Sequence, residues 1–194
     1  MADYSTAEQY VLGILQRDLS QKLLYHNVSH TVDVITAAEH LAQKEGIDGN
    51  LLLLLKTGAL YHDIGFLKQY GINEPIGAKI AFATLPRFGY ARQEVHIVEK
   101  LVLATQPHHI PKTKLEKIIR DADHDNLGRE DFYIKTELLR QELAAHSVSN
   151  TPREWFTGVL SFLKRHQYWT QTAVELRQGR KEQHIKEIED LLGQ

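Results

Sequence analysis

An all-α chain folded as one compact domain is the class this sequence predicts, and three observations predict it. Apolar residues recur near a 3.6-residue period along nearly every segment, and no stretch alternates for long enough to read as a strand. The 194 residues suit a single domain over 1–194 and are too few for two comfortable ones. Glycine, proline and asparagine mark the breaks, while no Gly/Ser linker, low-complexity run or internal repeat divides the chain.

Tyr10, Leu12, Ile14, Leu15 and Leu19 predict a first helix over about 4–19. A second, at about 30–45, carries Val34, Ala37, Ala38 and Leu41 on one face, with Asn27 or Ser29 as N-cap and Gly46 as stop. Asp48 or Asn50 caps a third, which runs through the leucines to His62 and ends at Gly65. Further helices are expected at about 74–85, 91–106, 113–121, 130–146, 152–165 and 170–192, with Pro75 and Pro152 in first turns. In the last, Ile185, Ile188, Leu191 and Leu192 form a stripe that packs on the body of the domain or, in a homodimer, on a second subunit.

Composition narrows the function. A net charge of −2 argues against broad attraction to nucleic acid or anionic membrane, and no apolar run approaches the ~18 residues of a membrane span. The absence of cysteine excludes disulfides, thiolate metal sites and thiol nucleophiles. With no signal-peptide pattern at the N-terminus, a reducing cytoplasm is the expected compartment. Eleven histidines are the unusual count.

Several of those histidines gather with aspartates. "YHNVSHTVDV" places His26 and His30 four apart, "YHDIGF" ends the apolar third helix with His62-Asp63, and "IIRDADHDNLG" supplies Asp121, Asp123 and Asp125. Burying His62 and Asp63 side by side is costly without compensation, and a cation compensates both at once. Adjacent helical residues point about 100° apart, so both reach one ion only at a helix end. Imidazole with carboxylate suits a divalent metal such as zinc, iron, manganese, nickel or magnesium.

Taken in order, a lone histidine, a His-Asp doublet and a distant aspartate after a small residue resemble the HD-domain metal-dependent phosphohydrolase superfamily, from Tyr25 to about Asp131. The resemblance implies metal ligation by His30, His62, Asp63 and Asp123. Tyr25-His26-Asn27-x-x-His30 is similar to the signature of cyclic-nucleotide phosphodiesterases, which implies a general acid at His26 and a catalytic part for Asp63. It further implies an all-α bundle, with the helices at about 152–192 packed on the motif core. The implied reaction is hydrolysis of a small-molecule phosphoester, expected to be a nucleotide, by metal-activated water.

Two departures matter. Phe66 stands where many members have a lysine near the phosphate, and Thr105 stands where a two-metal member has a histidine. His108, His109 and Glu74 are the residues left for a second metal or for substrate. Lys68, Lys112, Arg120 and Arg129 are the cations available to phosphate, with the Arg129 fork favoured. His96 reads as a partly buried helix residue, His40, His146, His166 and His184 as structural or surface residues, and Trp155 and Trp169 as packing anchors. A nucleotide sensor without turnover, a di-iron oxygenase of the same fold and a purely structural helical protein are the alternatives.

Overall fold

The structure, a computed structural model, describes residues 2–193; Met1 and Gln194, the ends of the expected domain, lie outside the described residues. The all-α expectation is borne out, with no strand among the described residues. Helix α1 (Tyr4–Asp18) is capped by Asp3, which accepts from Thr6 N, and buries Ala7, Val11 and Leu15. Helix α2 (Val28–Lys44) starts at Asn27, whose side chain accepts from His30 N, so Asn27 rather than Ser29 is the cap. Its buried face runs through His30, Val34, Ala38 and Leu41, the i, i+4, i+8, i+11 stripe of an amphipathic helix.

Helix α3 (Gly49–Tyr61) is buried almost all round in its second half, which places it at the centre of the core, packed on α2, α5 and α6. Helix α4 (Glu74–Thr84) lies along α5 (Arg92–Ala104), and α6 (Lys114–Asp123) closes against α2. Helices α7 (Phe132–Ala145), α8 (Pro152–Arg165), the single turn α9 (Gln171–Ala173) and α10 (Gly179–Leu192) complete the chain. The last expected helix is thus interrupted by a π-turn at Val174–Gln178. That turn presses on the Asp125–Gly128 3₁₀ turn, where a Cβ on Gly128 would stand 2.3 Å from Arg177 O.

The main core joins α1 to α6, and a smaller cluster of Leu127, Phe132, Leu160, Leu163, Ile188 and Leu192 ties α8 and α10 to it. Ile188 and Leu192 of the C-terminal stripe therefore pack on the body, while Leu191 stands exposed. Of two histidines, the first is structural and the second departs from expectation. His184 is fully buried, stacked on Phe132 with Nδ1 against Leu127 O at 3.1 Å, because its charged sequence neighbours occupy the other faces of α10. His96 is exposed and pairs with Glu99 one turn on, at 2.7 Å. No helix among the described residues is long and apolar enough to cross a membrane.

Candidate metal centre

His62 and Asp63 fall where the backbone changes winding. Helix α3 stops at Tyr61, His62 is its C-cap, Asp63 sits at φ −106, ψ 4, and a 3₁₀ turn follows over Ile64–Leu67. The break comes before Gly65, and Gly65 serves another purpose. A Cβ there would lie 2.0 Å from Asn73 O and 3.0 Å from Gly77 N, so only glycine lets this turn sit on the start of α4.

His62 is buried, and its Nδ1 lies 2.6 Å from Ala59 O. A carbonyl there demands a proton on Nδ1, which turns the unprotonated Nε2 outward as a ligand. His30, in the first turn of α2, brings its own Nε2 to 3.3 Å from that of His62. Asp63 Oδ2 lies 3.1 Å from His62 Nε2 and 3.5 Å from His30 Nε2. Asp123 Oδ1 lies 3.3 Å from His30 Nε2 and 3.6 Å from His62 Nε2. Around an ion with bonds of ~2.1 Å, neighbouring ligand atoms stand ~3.0 Å apart at right angles and ~3.4 Å apart tetrahedrally, which is the spacing seen. His30, His62 and Asp123 form a group able to hold a metal ion, and Asp63 Oδ2 reaches the same two imidazoles.

The donors fit a divalent cation on a second count. Asp63 Oδ2 is buried and takes no hydrogen bond, an arrangement that needs positive charge beside it. Burial opposes charge on His62, yet the Asp63 and Asp123 carboxylates outweigh it and push its pKa up to about 9. Burial likewise opposes charge on Asp63 and Asp123, and the imidazoles beside them win, holding both below the usual carboxylate range. The pocket is built to keep a positive charge.

Asp121 goes elsewhere. Two positions on a helix are about 200° apart, so Asp121 and Asp123 of α6 face nearly opposite ways. Asp121 accepts from Trp169 N, Thr170 N and Thr170 Oγ1, anchoring the start of α9.

His26 stands beside the group. Its Nδ1 lies 2.5 Å from Glu142 Oε1, and Glu142 Oε2 accepts from the backbone N–H of Tyr25 and His26 at 2.8 and 3.0 Å. Burial lowers the His26 pKa, but the bond to Glu142 and the charges of Asp63 and Asp123 raise it overall. The Tyr25 ring lies against His30 and the Phe66 ring against His26, at 4.7 and 4.6 Å between centroids. Glu142, fully buried in α7, carries no motif. Its one sequence signal is its place beside Leu139 and Leu143 on the apolar face of that helix.

Two cavities meet at His26 and Asp123. The polar one, of about 220 Å³, is lined by Asp63, Asn73, Glu74 and Arg120. Arg120 donates through one terminal nitrogen to Thr105 O and Gln106 O at 2.9 and 2.7 Å, and its Nε is buried without a partner. The other cavity, of about 350 Å³, opens between α7 and α8. Glu74 lines the polar cavity at the centre's edge, while His108 and His109 are not brought to the ligand group. They line a neighbouring groove that shares Glu74 with the polar cavity, and His109 Nε2 lies 3.2 Å from Glu116. Lys68 is exposed and lines neither cavity of the centre. Arg129 has its fork on Asp131 at 2.9 and 2.6 Å, and it lines both a groove beside Arg177 and a small opening shared with His30 and Asp123. Arg120 is the basic side chain that lines the polar cavity.

The family model of the HD domain matches residues 27–126, a span that holds the His-Asp doublet and both outer donors. The chain belongs to the HD domain family. At the family level that carries a divalent metal and hydrolytic chemistry. In fold, this HD-domain chain is similar to a predicted HD superfamily hydrolase from an uncultured Thermotogales bacterium, at 23% identity and TM-score 0.64 over 95% of this chain and 91% of the other. It is similar also to Bacillus subtilis YpgQ, at 18% identity and TM-score 0.69 over 96% of each chain. YpgQ in complex with ADP gives 19% identity and TM-score 0.68, over 96% of this chain and 93% of that one. No curated protein matches the chain.

Proposed function

We propose that this HD-domain protein hydrolyses the phosphoester of a nucleotide, with a divalent cation held by His30, His62, Asp63 and Asp123. The observation that carries the reading is that Asp63 and Asp123 each bring a carboxylate oxygen to 3.1–3.6 Å from two imidazole Nε2 atoms that stand 3.3 Å apart, the Asp63 oxygen being buried and unpartnered. A divalent ion bound there supplies a Lewis acid that acidifies water and offsets phosphoryl charge.

The chain's own groups account for the rest. The Asp63 carboxylate, which also holds the ion through Oδ2, is the acceptor for a proton from attacking water. His26, held by Glu142 through Nδ1, keeps Nε2 for the departing oxygen, and its raised pKa favours the protonated form that an acid needs. Arg120, clamped by two carbonyls, offers its remaining donors to the phosphate. A sensor without turnover is favoured by one feature, the apolar Phe66 in place of a lysine. That YpgQ was solved with ADP supports a nucleotide as the ligand under either reading.

The test is elemental analysis of the purified protein, then a panel of nucleotides and simple phosphoesters with manganese, nickel, magnesium and zinc. Retained metal and released phosphate are expected, and Asp63→Ala should lose both with helical content unchanged. Full rate in Asp63→Ala would remove the doublet from the chemistry. Retained metal with nucleotide bound and never consumed would leave the sensor.

A further inference from the structure

The run Asp121-Ala122-Asp123-His124-Asp125 carries three aspartates, and the metal group uses the middle one. The outer two stand two residues before it and two after, and one distant segment holds both. Asp121 accepts from Trp169 N at 2.9 Å, from Thr170 N at 2.8 Å and from Thr170 Oγ1 at 2.7 Å. Asp125 accepts the Arg177 fork, from Nε at 2.7 Å and from Nη2 at 3.1 Å. The two aspartates are 1% and 6% exposed, so solvent screens these bonds little. Their partners lie 48 to 52 residues further along the chain, beyond the segment 27–126 matched by the family model.

The position of Asp123 is one that needs such a hold. It is the last residue of α6; His124 is the C-cap, and a 3₁₀ turn begins at Asp125. Carbonyls in a last turn lose their intrahelical partners, and a helix end opens more readily than its middle. A binding constellation must nevertheless keep its groups within ~0.5 Å. Two further contacts press on the same joint. A Cβ on Gly128 would stand 2.3 Å from Arg177 O, and the His124 and His166 rings meet edge to face at 5.0 Å. Arg177 rides on the π-turn Val174–Gln178, a rare irregularity that recurs at functional sites. Arg129 does not duplicate it, since its fork is on Asp131 and its approach to Asp125 is 3.7 Å.

We propose that Arg177 and Thr170 are positioning residues for the metal ion: by gripping Asp125 and Asp121 they fix the backbone on both sides of Asp123, and the segment 169–178 thereby sets the affinity of the centre. The inference rests on the metal-binding half of the proposed function and adds residues that touch neither ion nor substrate. A guanidinium fork fixes the direction of its carboxylate as well as the distance, which the point charge of a lysine does not. Loss of the fork widens the range of Asp123 positions in the folded protein and removes no donor from the ion.

The experiment titrates the full chain, stripped with a chelator, with manganese alone. Free ion is read by electron paramagnetic resonance, beside melting of the metal-free protein. Arg177→Lys, which keeps the charge and loses the fork, should weaken manganese about tenfold, the loss common when the outer partners of a metal site are removed. Thr170→Val should weaken it about threefold for one lost hydrogen bond, and it decides alone should the lysine variant fail to fold. Arg180→Met is the control, because Arg180 is exposed and bonds Gln183 instead, and it should bind manganese as the wild type does. Affinities are read at a temperature where the metal-free variants are folded, so a role in stability alone would shift melting and leave affinity unchanged. Wild-type affinity in the folded Arg177→Lys and Thr170→Val proteins overturns the clamp, as does an equal loss in Arg180→Met. No manganese bound by the wild type overturns the metal reading and the clamp together. Manganese weakened by the two variants, with no phosphoester consumed by any form, sinks the hydrolytic reading and upholds the clamp.

Discussion

Replacing Glu142 by glutamine tests the support of His26 without removing His26. Glu142 is fully buried and accepts three hydrogen bonds, from Tyr25 N, His26 N and His26 Nδ1. A glutamine keeps the shape but has one acceptor oxygen, so its NH₂ must face either the two backbone donors or the ring donor. Hydrogen bonds to a charged group contribute about 1.5–3 kcal/mol each, and a buried donor left unpaired costs about 1–3 kcal/mol. Loss of about 3 kcal/mol is expected, which lowers the Tm of a domain this size by about 6–12 °C.

The pH dependence has a definite sign. Glu142 is held below its ordinary 4.5, chiefly by the His26 bond working against burial, so its contribution is present above that value and fades as pH falls through the folded pKa. The gap in Tm between wild type and Glu142→Gln should therefore narrow below about pH 4.5. His26 in the variant loses its main source of positive charge, and phosphoesters with poor leaving groups should suffer most. Calorimetric melts across pH, with rates on a leaving-group series, make the measurement. A Tm within about 2 °C of wild type at neutral pH would refute the argument.

Three further outcomes follow from the same geometry. His26→Ala should lower rate while metal is retained, least for nitrophenyl phosphates; an equal loss on every ester would count against proton donation. Gly65→Ala should destabilise by about 1–3 kcal/mol or more, because its methyl collides with Asn73 O, and should loosen metal retention at Asp63; unchanged melting would contradict the close approach. His166 is held neutral to about pH 2, mainly by burial and then by His124, Lys181 and Arg120, against an ordinary 6.5. The unfolded chain therefore takes up a proton that the folded chain refuses, and stability falls as pH drops below 6.5. His166→Gln should flatten that part of the profile, and parallel profiles would show that another group is responsible.

Local signals account for the helices. Asn27, one of the two caps its position offers, starts α2, and the stripe on that helix buries the residues that its period selects. The winding change at His62 was legible as a need, since two adjacent side chains cannot share an ion within a regular helix. The order His30, His62-Asp63, Asp123 was legible too as a candidate donor set, because residue types and their succession are properties of the chain.

Other features depend on what lies opposite. Glu142 matters because α7 carries it to the Tyr25-His26 backbone, 117 and 116 residues away along the chain. His184 is buried because Phe132 and Leu127 meet its face of α10, whatever its charged neighbours imply. Arg129 and Arg120 are alike as letters, yet one fork closes on Asp131 while the other is pinned by two carbonyls at a cavity wall. Periodicity, caps and the chemistry of single side chains are written within a few residues, so the sequence alone determined the helices and the candidate donors. Which donors converge, which charge is already neutralised and where an opening remains are set by contacts between distant segments, and only the tertiary structure decided those.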